Sequence, residues 1–339
     1  MNEISISESQ WSGKQLLVTG AGGFIGSHLV QWLVRAGANV RAFVRYNSRG
    51  DSGLLRLLDT HDQQALELIS GDLRDADAVY QAVAGCETVF HLGAVISIPY
   101  SYVHPLETTS SNISGTLNVL LACREHGVQR MVHISTSEVY GTALHVPIDE
   151  SHPLQGQSPY SASKIGADKL AESFYRTYDL PVVTVRPFNT YGPHQSARAV
   201  IPTIITQALT QDVIRLGSLE PRRDFTYVTD TVRGFLLAAQ AESPGVLGEV
   251  FNLGTGTDVS IGTLVEMIRD LVGRDLPVET DTQRIRPAKS EVGRLISDNS
   301  RAREILGWRP TFSLDQGLQE TIAWIRDNLG HYHIGRYEI

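Results

Sequence analysis

The sequence predicts an α/β protein in which a doubly wound parallel sheet is followed by a smaller C-terminal substrate-binding lobe. Two observations carry this prediction. Short apolar runs typical of strands alternate with helical stretches over the first half of the chain, as in repeated strand–helix–strand units. Later the alternation becomes irregular and basic residues accumulate. We expect 1–187 and about 224–256 to form the sheet domain, about 188–223 and 257–330 the lobe, and 331–339 a tail.

Composition excludes several classes of function. The chain has 339 residues and a net charge of −8, which argues against general nucleic-acid binding because that needs a basic surface. The two cysteines, Cys86 and Cys123, cannot form a disulfide framework and are expected to be buried thiols. The N-terminus lacks a signal-peptide pattern, and no apolar run reaches the roughly 18 residues needed to cross a bilayer. We expect a cytoplasmic protein without membrane partners.

The first strand leads into a glycine-rich turn and a helix. An apolar run, 15–19, precedes Gly20-x-x-Gly23-x-x-Gly26, and a helical stretch follows. Glycines let the backbone approach a pyrophosphate at a helix N-terminus. The spacing differs from the usual G-x-G-x-x-G and a plain turn is the alternative, but strand before and helix after favour a dinucleotide loop.

The second strand, 39–45, ends in a basic residue. An acid at this point holds the ribose 2′-hydroxyl of NAD, whereas an arginine accommodates the 2′-phosphate of NADP. The chain has Arg45, with Arg49 nearby, and its next acid is Asp51. This favours NADP, although Arg45 as a solvated charge, or packed on adenine in an NAD enzyme, stays open.

The third and fourth strands are expected at 66–73 and 89–94. Asp72 follows the third strand and either accepts a hydrogen bond from adenine or caps the helix that begins near Asp75. His91 is expected to be a packed strand residue. A long helix is predicted over 104–126, and Asn112 within it would ordinarily be a surface residue.

The stretch from Ser135 to Lys164 has the strongest chemical pattern. Thr136, Ser137 and Glu138 follow an apolar strand, at the sheet edge where α/β proteins bind ligands. Tyr160 and Lys164 are four residues apart on a helix that Pro159 begins, so the phenol and the ammonium share one face. We expect the ammonium to lower the phenol pKa toward a working range. Alternation aims Thr136 and Glu138 to the same side.

In the second half, a strand over 181–186 and helices near 160–178, 200–210, 261–272 and 314–329 are predicted. The basic residues of the lobe suit a diphosphate, but a solvated charged face is an equal alternative. They are Arg223, Arg284, Arg286, Lys289 and Arg294. His331 and His333 lack further metal-type ligands nearby, so no metal site is predicted.

With these motifs in place, the chain resembles the extended short-chain dehydrogenases/reductases that act on nucleotide sugars, from Leu16 to about Trp324. The glycine loop, Ser-Thr-Ser-Glu-Val-Tyr-Gly, Tyr160-x-x-x-Lys164 and Arg186-Pro187-x-Asn189 occur in that family's order. The resemblance implies a Rossmann-type fold, a tightly bound NADP or NAD, a nucleotide-sugar substrate and a homodimer through a four-helix bundle formed by the helices near 104–126 and 160–178.

The resemblance also assigns residues. It makes Tyr160 the catalytic base, Lys164 its partner on the nicotinamide ribose, and Thr136 the group that holds the sugar O4. On the cofactor side it implies Gly20, Gly23, Phe24, Ile25, Gly26, Arg45, Asp72, Leu73 and Asn112. On the substrate side it implies Asn189, Arg223, Arg286 and Ile201.

Within this family the chain resembles the NDP-sugar 4,6-dehydratases, and in wording the NDP-N-acetylglucosamine 4,6-dehydratases of nonulosonic acid pathways. Glu138 would then take the C5 proton. Ser137 stands where many members have an aspartate that protonates the leaving hydroxyl, and serine is a poor acid. A C4-epimerase and a UDP-glucuronate decarboxylase are the enzymatic alternatives. A dinucleotide-binding sensor is the non-enzymatic one.

Overall fold

The structure is a computed structural model that describes residues 8–242, 245–285, 287 and 289–333. Its central feature is a parallel sheet of seven strands in the order β3-β2-β1-β4-β5-β6-β11. These strands are β1 Gln15–Thr19, β2 Asn39–Arg45, β3 Leu66–Gly71, β4 Thr88–His91, β5 Arg130–Ile134, β6 Val182–Pro187 and β11 Val250–Leu253. The strand order reverses between β1 and β4, and such a switch point opens a ligand crevice at the carboxyl ends.

Helices cover both faces of the sheet. Those in the described residues are α1 Phe24–Arg35, α2 Thr60–Gln64, α3 Ala76–Val83, α4 Ile98–Val103, α5 Pro105–Thr109, α6 Gly115–Glu125, α7 Pro159–Tyr178, α8 Val200–Thr210, α9 Val228–Gln240, α10 Ile261–Val272, α11 Ser300–Ile305 and α12 Leu314–Asp327. No helix in these ranges is long and apolar enough to pass through a membrane.

Alternate residues of each strand point to opposite sides of the sheet, so the hydrophobic core is divided into one cluster on each side. In β1, Leu16 and Val18 belong to a cluster with α1, α9 and the C-terminal helices, whereas Leu17 belongs to a cluster with α3, α6 and α7. This is the period of two that a strand buried on both faces requires. Both cysteines are buried free thiols in the second cluster, as predicted.

The C-terminal half builds small sheets beside the large one. Its short strands are β7 Asn189–Tyr191, β8 Ile214–Leu216, β9 Arg222–Arg223, β10 Phe225–Tyr227, β12 Val259–Ser260, β13 Val278–Thr280 and β14 Arg294–Leu295. They pair as β7 with β10, β8 with β13, and β9 with both β12 and β14. Helices α8, α10 and α12 pack against one another, and their apolar side chains join the core cluster of β1 and α1.

The long helix predicted over 104–126 is interrupted. Between α5 and α6 the backbone forms a π-helical segment, Ser110–Ser114, that contains Asn112. π-Bulges of this kind occur often at functional sites. Contrary to the expectation for a mid-helix asparagine, Asn112 is buried, because its amide serves a neighbouring loop as described below.

Candidate active site

The turn between β1 and α1 forms a cradle made of backbone. Gly20 has φ of 69°, and a Cβ atom on it would lie 2.8 Å from the nitrogen of Gly93 at the end of β4. The residue before α1 is Gly23, and no side chain caps this helix. The first N–H groups of α1 thus meet no side-chain acceptor at a close backbone turn, an arrangement that suits a pyrophosphate. Phe24, Ile25 and Gly26 are the first residues of the helix.

Arg45 lies at the end of β2, as predicted, and is already in an ion pair. Its Nη2 donates to Glu107 Oε1 at 3.0 Å, and the Tyr100 hydroxyl donates to the other Glu107 oxygen at 2.6 Å. The Arg45 side chain remains largely exposed. A cation is therefore available beside the site expected for the adenosine ribose, although Glu107 competes for it.

Asp72 does not cap the helix that follows it, which was one of its two predicted roles. The helix that follows is capped by Asp75, whose side chain accepts from the backbone of Asp77 and Ala78. Asp72 instead accepts from Arg74, and this hydrogen bond holds the pKa of the Asp72 carboxyl at about 2. The capping alternative for Asp72 was wrong because the acid three residues later occupies the N-cap.

Leu73 and Asn112 line the turn after β4 from two sides. Leu73 fills the space that side chains at Gly93 and Gly115 would need, so its visible role is packing. Asn112 Oδ1 accepts from Val95 N at 2.7 Å, and its Nδ2 donates to Val95 O at 3.0 Å and to Ser163 Oγ at 2.9 Å. Asn112 thus fixes the loop that follows β4 against α7.

The helix α7 begins as the sequence predicts. Ser158 is the N-cap, Pro159 is the first helical residue, and Ser161 completes a capping box. Tyr160 and Lys164 are both buried on the side of the helix that faces the sheet. The Lys164 ammonium donates to the carbonyl oxygen of Ile134, the last residue of β5, at 2.8 Å.

The electrostatics of this pair differ from the prediction. Burial raises the pKa of Tyr160, the nearby charge of Glu138 raises it further, and a hydrogen bond from Thr136 opposes both. Burial lowers the pKa of Lys164 to about 8, against the effect of Asp168. Burial therefore outweighs the lowering of the Tyr160 pKa that was expected from the Lys164 ammonium. The phenol of the free protein is therefore protonated at neutral pH.

Thr136, Ser137 and Glu138 lie where β5 ends. Thr136 is the N-cap of a 3₁₀ turn, Ser137–Tyr140, and its hydroxyl oxygen accepts from Glu138 N at 3.2 Å. Thr136 and Glu138 are half-buried, and both act on the Tyr160 phenol. Ser137 is only 3% exposed. The three groups Tyr160, Thr136 and Glu138 therefore meet at one place, and Ser137 is buried beside them.

A buried polar layer lies behind α7, and the sequence reasoning did not assign it a function. It contains Asp168, His133 on β5 and Arg186 on β6. His91, on β4, stacks beside His133 and contacts the hydroxyls of Thr19 and Thr116, which agrees with its predicted packing role. The sequence did contain one signal for this layer, since Asp168 follows Lys164 by one helical turn and therefore shares its helix face.

The predicted substrate residues are only partly described. Asn189, in β7, has a buried side-chain oxygen without a hydrogen-bond partner. Arg223 is buried, and its Nη2 donates to Glu291 Oε1 at 3.2 Å. The Ile201 side chain is 1% exposed within the core, so the contact with the nucleobase of the substrate that the resemblance implies remains a prediction. Arg286 lies outside the described residues.

Other cations of the lobe are paired with acids nearby. Arg222 and Arg294 both donate to Asp258, at 3.2 and 2.6 Å, and Arg284 donates to Asp281 at 3.0 Å. These arginines and carboxylates therefore form a network of charge pairs on the lobe. A ligand phosphate that binds there has to exchange with carboxylates.

Comparison with known proteins agrees with this geometry. The family model described as GDP-mannose 4,6 dehydratase matches residues 17–321. A dTDP-glucose 4,6-dehydratase from Streptomyces antibioticus is 34% identical over 326 residues, which cover 92% of each chain.

Two solved structures show the similarity in three dimensions. A dTDP-glucose 4,6-dehydratase from Streptomyces venezuelae, solved with NAD bound, has a TM-score of 0.84 at 31% identity, covering 94% of this chain and 99% of that one. A UDP-N-acetylglucosamine 4-epimerase from Methanobrevibacter ruminantium has a TM-score of 0.84 at 30% identity, with the same coverage of 94% and 99%. The similarity therefore spans dehydratases and epimerases.

Proposed function

We propose, from the premise that the chain belongs to the GDP-mannose 4,6 dehydratase family of nucleotide-sugar enzymes, that it is a 4,6-dehydratase. Its product would be an NDP-4-keto-6-deoxy-hexose, with an NDP-N-acetylglucosamine as the substrate. The observation that carries the proposal is the half-buried carboxylate of Glu138 beside Tyr160 and Thr136. An epimerase needs no second proton-transfer group there, whereas an elimination does.

The site fits a nicotinamide dinucleotide. Gly20, Gly23 and the uncapped start of α1 would hold the pyrophosphate, and Lys164 would hold the nicotinamide ribose. When bound, the cofactor supplies a two-electron acceptor that takes a hydride from C4 of the sugar and returns it to C6. Its oxidised ring is also positively charged, which favours the phenolate that burial of Tyr160 disfavours.

The chain's own groups would move the protons. Tyr160, as phenolate, takes the O4 proton, and the Thr136 hydroxyl holds O4. The resulting 4-ketone acidifies the C5 proton, which Glu138 removes. Glu138 then returns a proton to the departing C6 hydroxyl, because Ser137 is buried and a serine hydroxyl is a poor acid. Water leaves, C6 receives the hydride, and C5 receives the proton that Tyr160 took from O4, so Tyr160 and Glu138 recover their initial protonation states.

The proposal includes NADP as the preferred cofactor. Arg45 is an exposed cation at the end of β2, where a 2′-phosphate would lie. Because Glu107 already pairs with it, the phosphate would replace one carboxylate contact rather than meet a free cation. The preference is therefore expected to be modest.

A homodimer in the cytoplasm completes the proposal. The outer side of α4 and α5 carries exposed apolar groups, with Leu106 83% exposed and Val103 67% exposed. Burying such groups in a four-helix bundle, formed by the helical stretch from α5 to α6 and by α7 of both copies, would remove apolar surface from water. Light scattering of the purified protein tests this, and a monomer at micromolar concentration would contradict it.

The reaction is tested with a panel of NDP-hexoses, NDP-N-acetylglucosamine among them, and product analysis by mass spectrometry. Loss of water supports the proposal. Loss of CO₂ from a glucuronate would identify a decarboxylase, and a new sugar of unchanged mass an epimerase. Binding of cofactor without turnover of any sugar would favour the sensor.

Glu138→Gln sharpens that test. We expect dehydration to slow by about 10²–10⁴-fold, because general acid–base catalysis by one group is of that size. Oxidation at C4 should persist, so reduced cofactor should accumulate on the enzyme and be visible by its absorbance. Glu304→Gln, which alters an exposed carboxylate on α11, is the matched control. Full dehydration by Glu138→Gln would contradict the assigned role.

A further inference from the structure

Two separate elements carry the groups of the candidate active site. Tyr160 lies on α7, whereas Thr136 and Glu138 belong to the 3₁₀ turn that follows β5. The chain between these elements, 141–158, is described throughout and forms neither a helix nor a strand, apart from one bridge at Ile148. The covalent connection therefore does not fix the turn against the helix, and contacts in space have to do so.

The backbone of the turn holds itself only weakly. Val139 N lies 3.5 Å from Thr136 O, and Gly141 N lies 3.3 Å from Glu138 O. Both distances exceed the usual range for such hydrogen bonds, which ends near 3.2 Å. Tyr140, the last residue of the turn, is 0% exposed. The position of the turn therefore depends on the contacts of the Tyr140 side chain.

Arg186, on β6, contacts both elements. Its Nε and Nη2 lie 3.0 and 2.9 Å from Asp168 Oδ2 on α7, and its Nη1 donates to the Tyr140 hydroxyl at 2.9 Å. The guanidinium also lies over the Tyr140 ring, 5.0 Å from the ring centre. The hydroxyl in turn donates to Asn252 Oδ1 at 2.7 Å. All four side chains are buried, so water does not compete for these hydrogen bonds.

We propose that Arg186 is a positioning residue, which sets the turn with Thr136 and Glu138 against the helix with Tyr160. Its planar guanidinium donates to both elements at once and in fixed directions. The proton-transfer groups have to reach one substrate together, and a misplacement of about 1 Å can cost about 10²-fold in rate. This inference rests on the proposed function for the roles of the three groups, but not for the identity of the sugar.

Two other hydrogen bonds nearby do not replace this bridge. The Lys164 ammonium ties α7 to Ile134 O, which lies before the turn, at 2.8 Å. Gln155 N donates to Val139 O at 2.8 Å, but Gln155 belongs to the irregular stretch 141–158 and not to the helix. Neither hydrogen bond joins the turn to α7.

The first test is Tyr140→Phe, which removes the hydroxyl and keeps the ring beside the guanidinium. Hydrogen–deuterium exchange of the purified protein is followed by mass spectrometry, without any ligand. We expect the amides of 137–141 to exchange about tenfold faster, since the turn loses one anchoring hydrogen bond, whereas those of β1 should not change. Unchanged exchange over 137–141, or equal acceleration throughout the chain, would overturn the proposal.

Tyr191→Phe is the matched control. Tyr191 is also a buried tyrosine, on β7, and its hydroxyl donates to Leu314 O at 3.2 Å. Its loss should lower the thermal midpoint as the loss of any buried hydrogen bond does, and should leave exchange over 137–141 unchanged. Acceleration of that segment in Tyr191→Phe would mean that it reports general stability, which would contradict the positioning role.

Arg186→Lys is the second variant. Lysine keeps a positive charge beside Asp168, so the buried carboxylate is not left without a cation, but a single ammonium lacks the fork that reaches both partners. Exchange over 137–141 should accelerate as in Tyr140→Phe. Combining the two substitutions should add little, because both remove the same bridge. Additive effects would show that Arg186 and Tyr140 act independently and would refute the bridge.

Kinetics then separate positioning from a structural role. With the substrate found in the panel, kcat of Tyr140→Phe should fall by about 10–10²-fold, while KM and the affinity for NAD change little. Tyr191→Phe should keep its kcat at the same temperature. An unchanged kcat in a Tyr140→Phe protein with faster exchange would overturn the positioning role.

The exchange measurement separates this inference from the proposed reaction. It requires no sugar and no cofactor, so a chain that turns over no NDP-hexose can still show the selective opening of 137–141. A dehydratase in which that segment exchanges at the original rate would retain its proposed function and lose this inference.

Discussion

The face of α7 that packs on the sheet and the basic residues of the C-terminal lobe hold their charges in different ways. On α7, Tyr160 and Lys164 are buried and lie one helical turn apart. In the lobe, the Arg222 and Arg294 side chains are 45% exposed and share Asp258, which is distant in the chain from both. One region is organised by local helix geometry, the other by contacts between separate segments.

This difference indicates that the two regions are preorganised for a ligand to different degrees. Groups inside a packed core cannot rearrange at low energetic cost, so this face of α7 has a fixed geometry and shifted pKa values before a ligand arrives. Exposed ion pairs contribute little stability, so the lobe can exchange carboxylates for phosphates at low cost. Variants in the first region should affect the chemical step, and variants in the second should affect binding.

The largest effect is expected from Tyr160→Phe. The variant keeps the ring and its packing but removes the base, so kcat should fall by about 10²–10⁴-fold with little change in nucleotide affinity. Turnover of the substrate found in the panel and binding of NDP are the measurements. Tyr178→Phe, which alters an exposed tyrosine on the same helix, is the control. Equal losses in both variants would contradict the role of Tyr160 as the base.

Arg223→Gln should weaken substrate binding more than it slows the chemical step. Loss of a buried guanidinium that is expected to contact the substrate diphosphate should raise KM by about tenfold or more, since hydrogen bonds to charged groups contribute about 1.5–3 kcal/mol. We expect kcat to change less. Arg222→Gln, which alters the exposed neighbour paired with Asp258, is the comparison. If kcat rather than KM changes in Arg223→Gln, the lobe takes part in the chemistry.

Arg45→Ala tests the pair on the cofactor side. Affinity for NADP should fall by about tenfold, a loss near 1.4 kcal/mol, whereas affinity for NAD should change little. Glu107→Gln removes the competing carboxylate and should strengthen NADP binding. Both affinities are measured by titration calorimetry. Equal losses for the two cofactors would show that Arg45 does not contact the 2′-phosphate.

The smallest effect concerns the pH dependence of stability, at a contact between α1 and the loop after β7. In the loop after β7, His194 stacks on His28 of α1 at 4.4 Å. Burial, with the charges of His28 and His331, lowers the pKa of His194 to about 3. The unfolded chain therefore binds more protons below the ordinary histidine pKa. The contribution of neutral His194 to the free energy of unfolding is complete above about pH 6.5 and is lost as the pH falls toward 3.

His194→Gln should weaken that dependence. The thermal midpoint of the variant should fall less between pH 6.5 and 4 than that of the original protein. His61→Gln, at a histidine whose side chain is 92% exposed, should leave the slope unchanged. An unchanged slope in His194→Gln would mean that other groups govern acid unfolding.

Local signals predicted many strands and helices in both halves of the chain. The bounds of β1 and β2 agree with the predicted strands, and α7, α8 and α10 lie where the sequence placed them. Apolar runs, capping residues and helical spacing act within a few residues, so they can be read without coordinates. Helices α4 and α9 were not predicted, although α9 covers one face of the sheet, against β5 and β6.

By itself, the sequence determined the alternation of strands and helices, the glycine turn, and the Tyr160–Lys164 spacing, because each of these depends on neighbours along the chain. Only the tertiary structure decided that burial raises the Tyr160 pKa and that Asp168 meets Arg186 and His133. It also decided that Arg223 and Arg294 pair with acids from other segments. The physical reason is that desolvation and Coulomb energies depend on distance in space, which strand order and helix packing set.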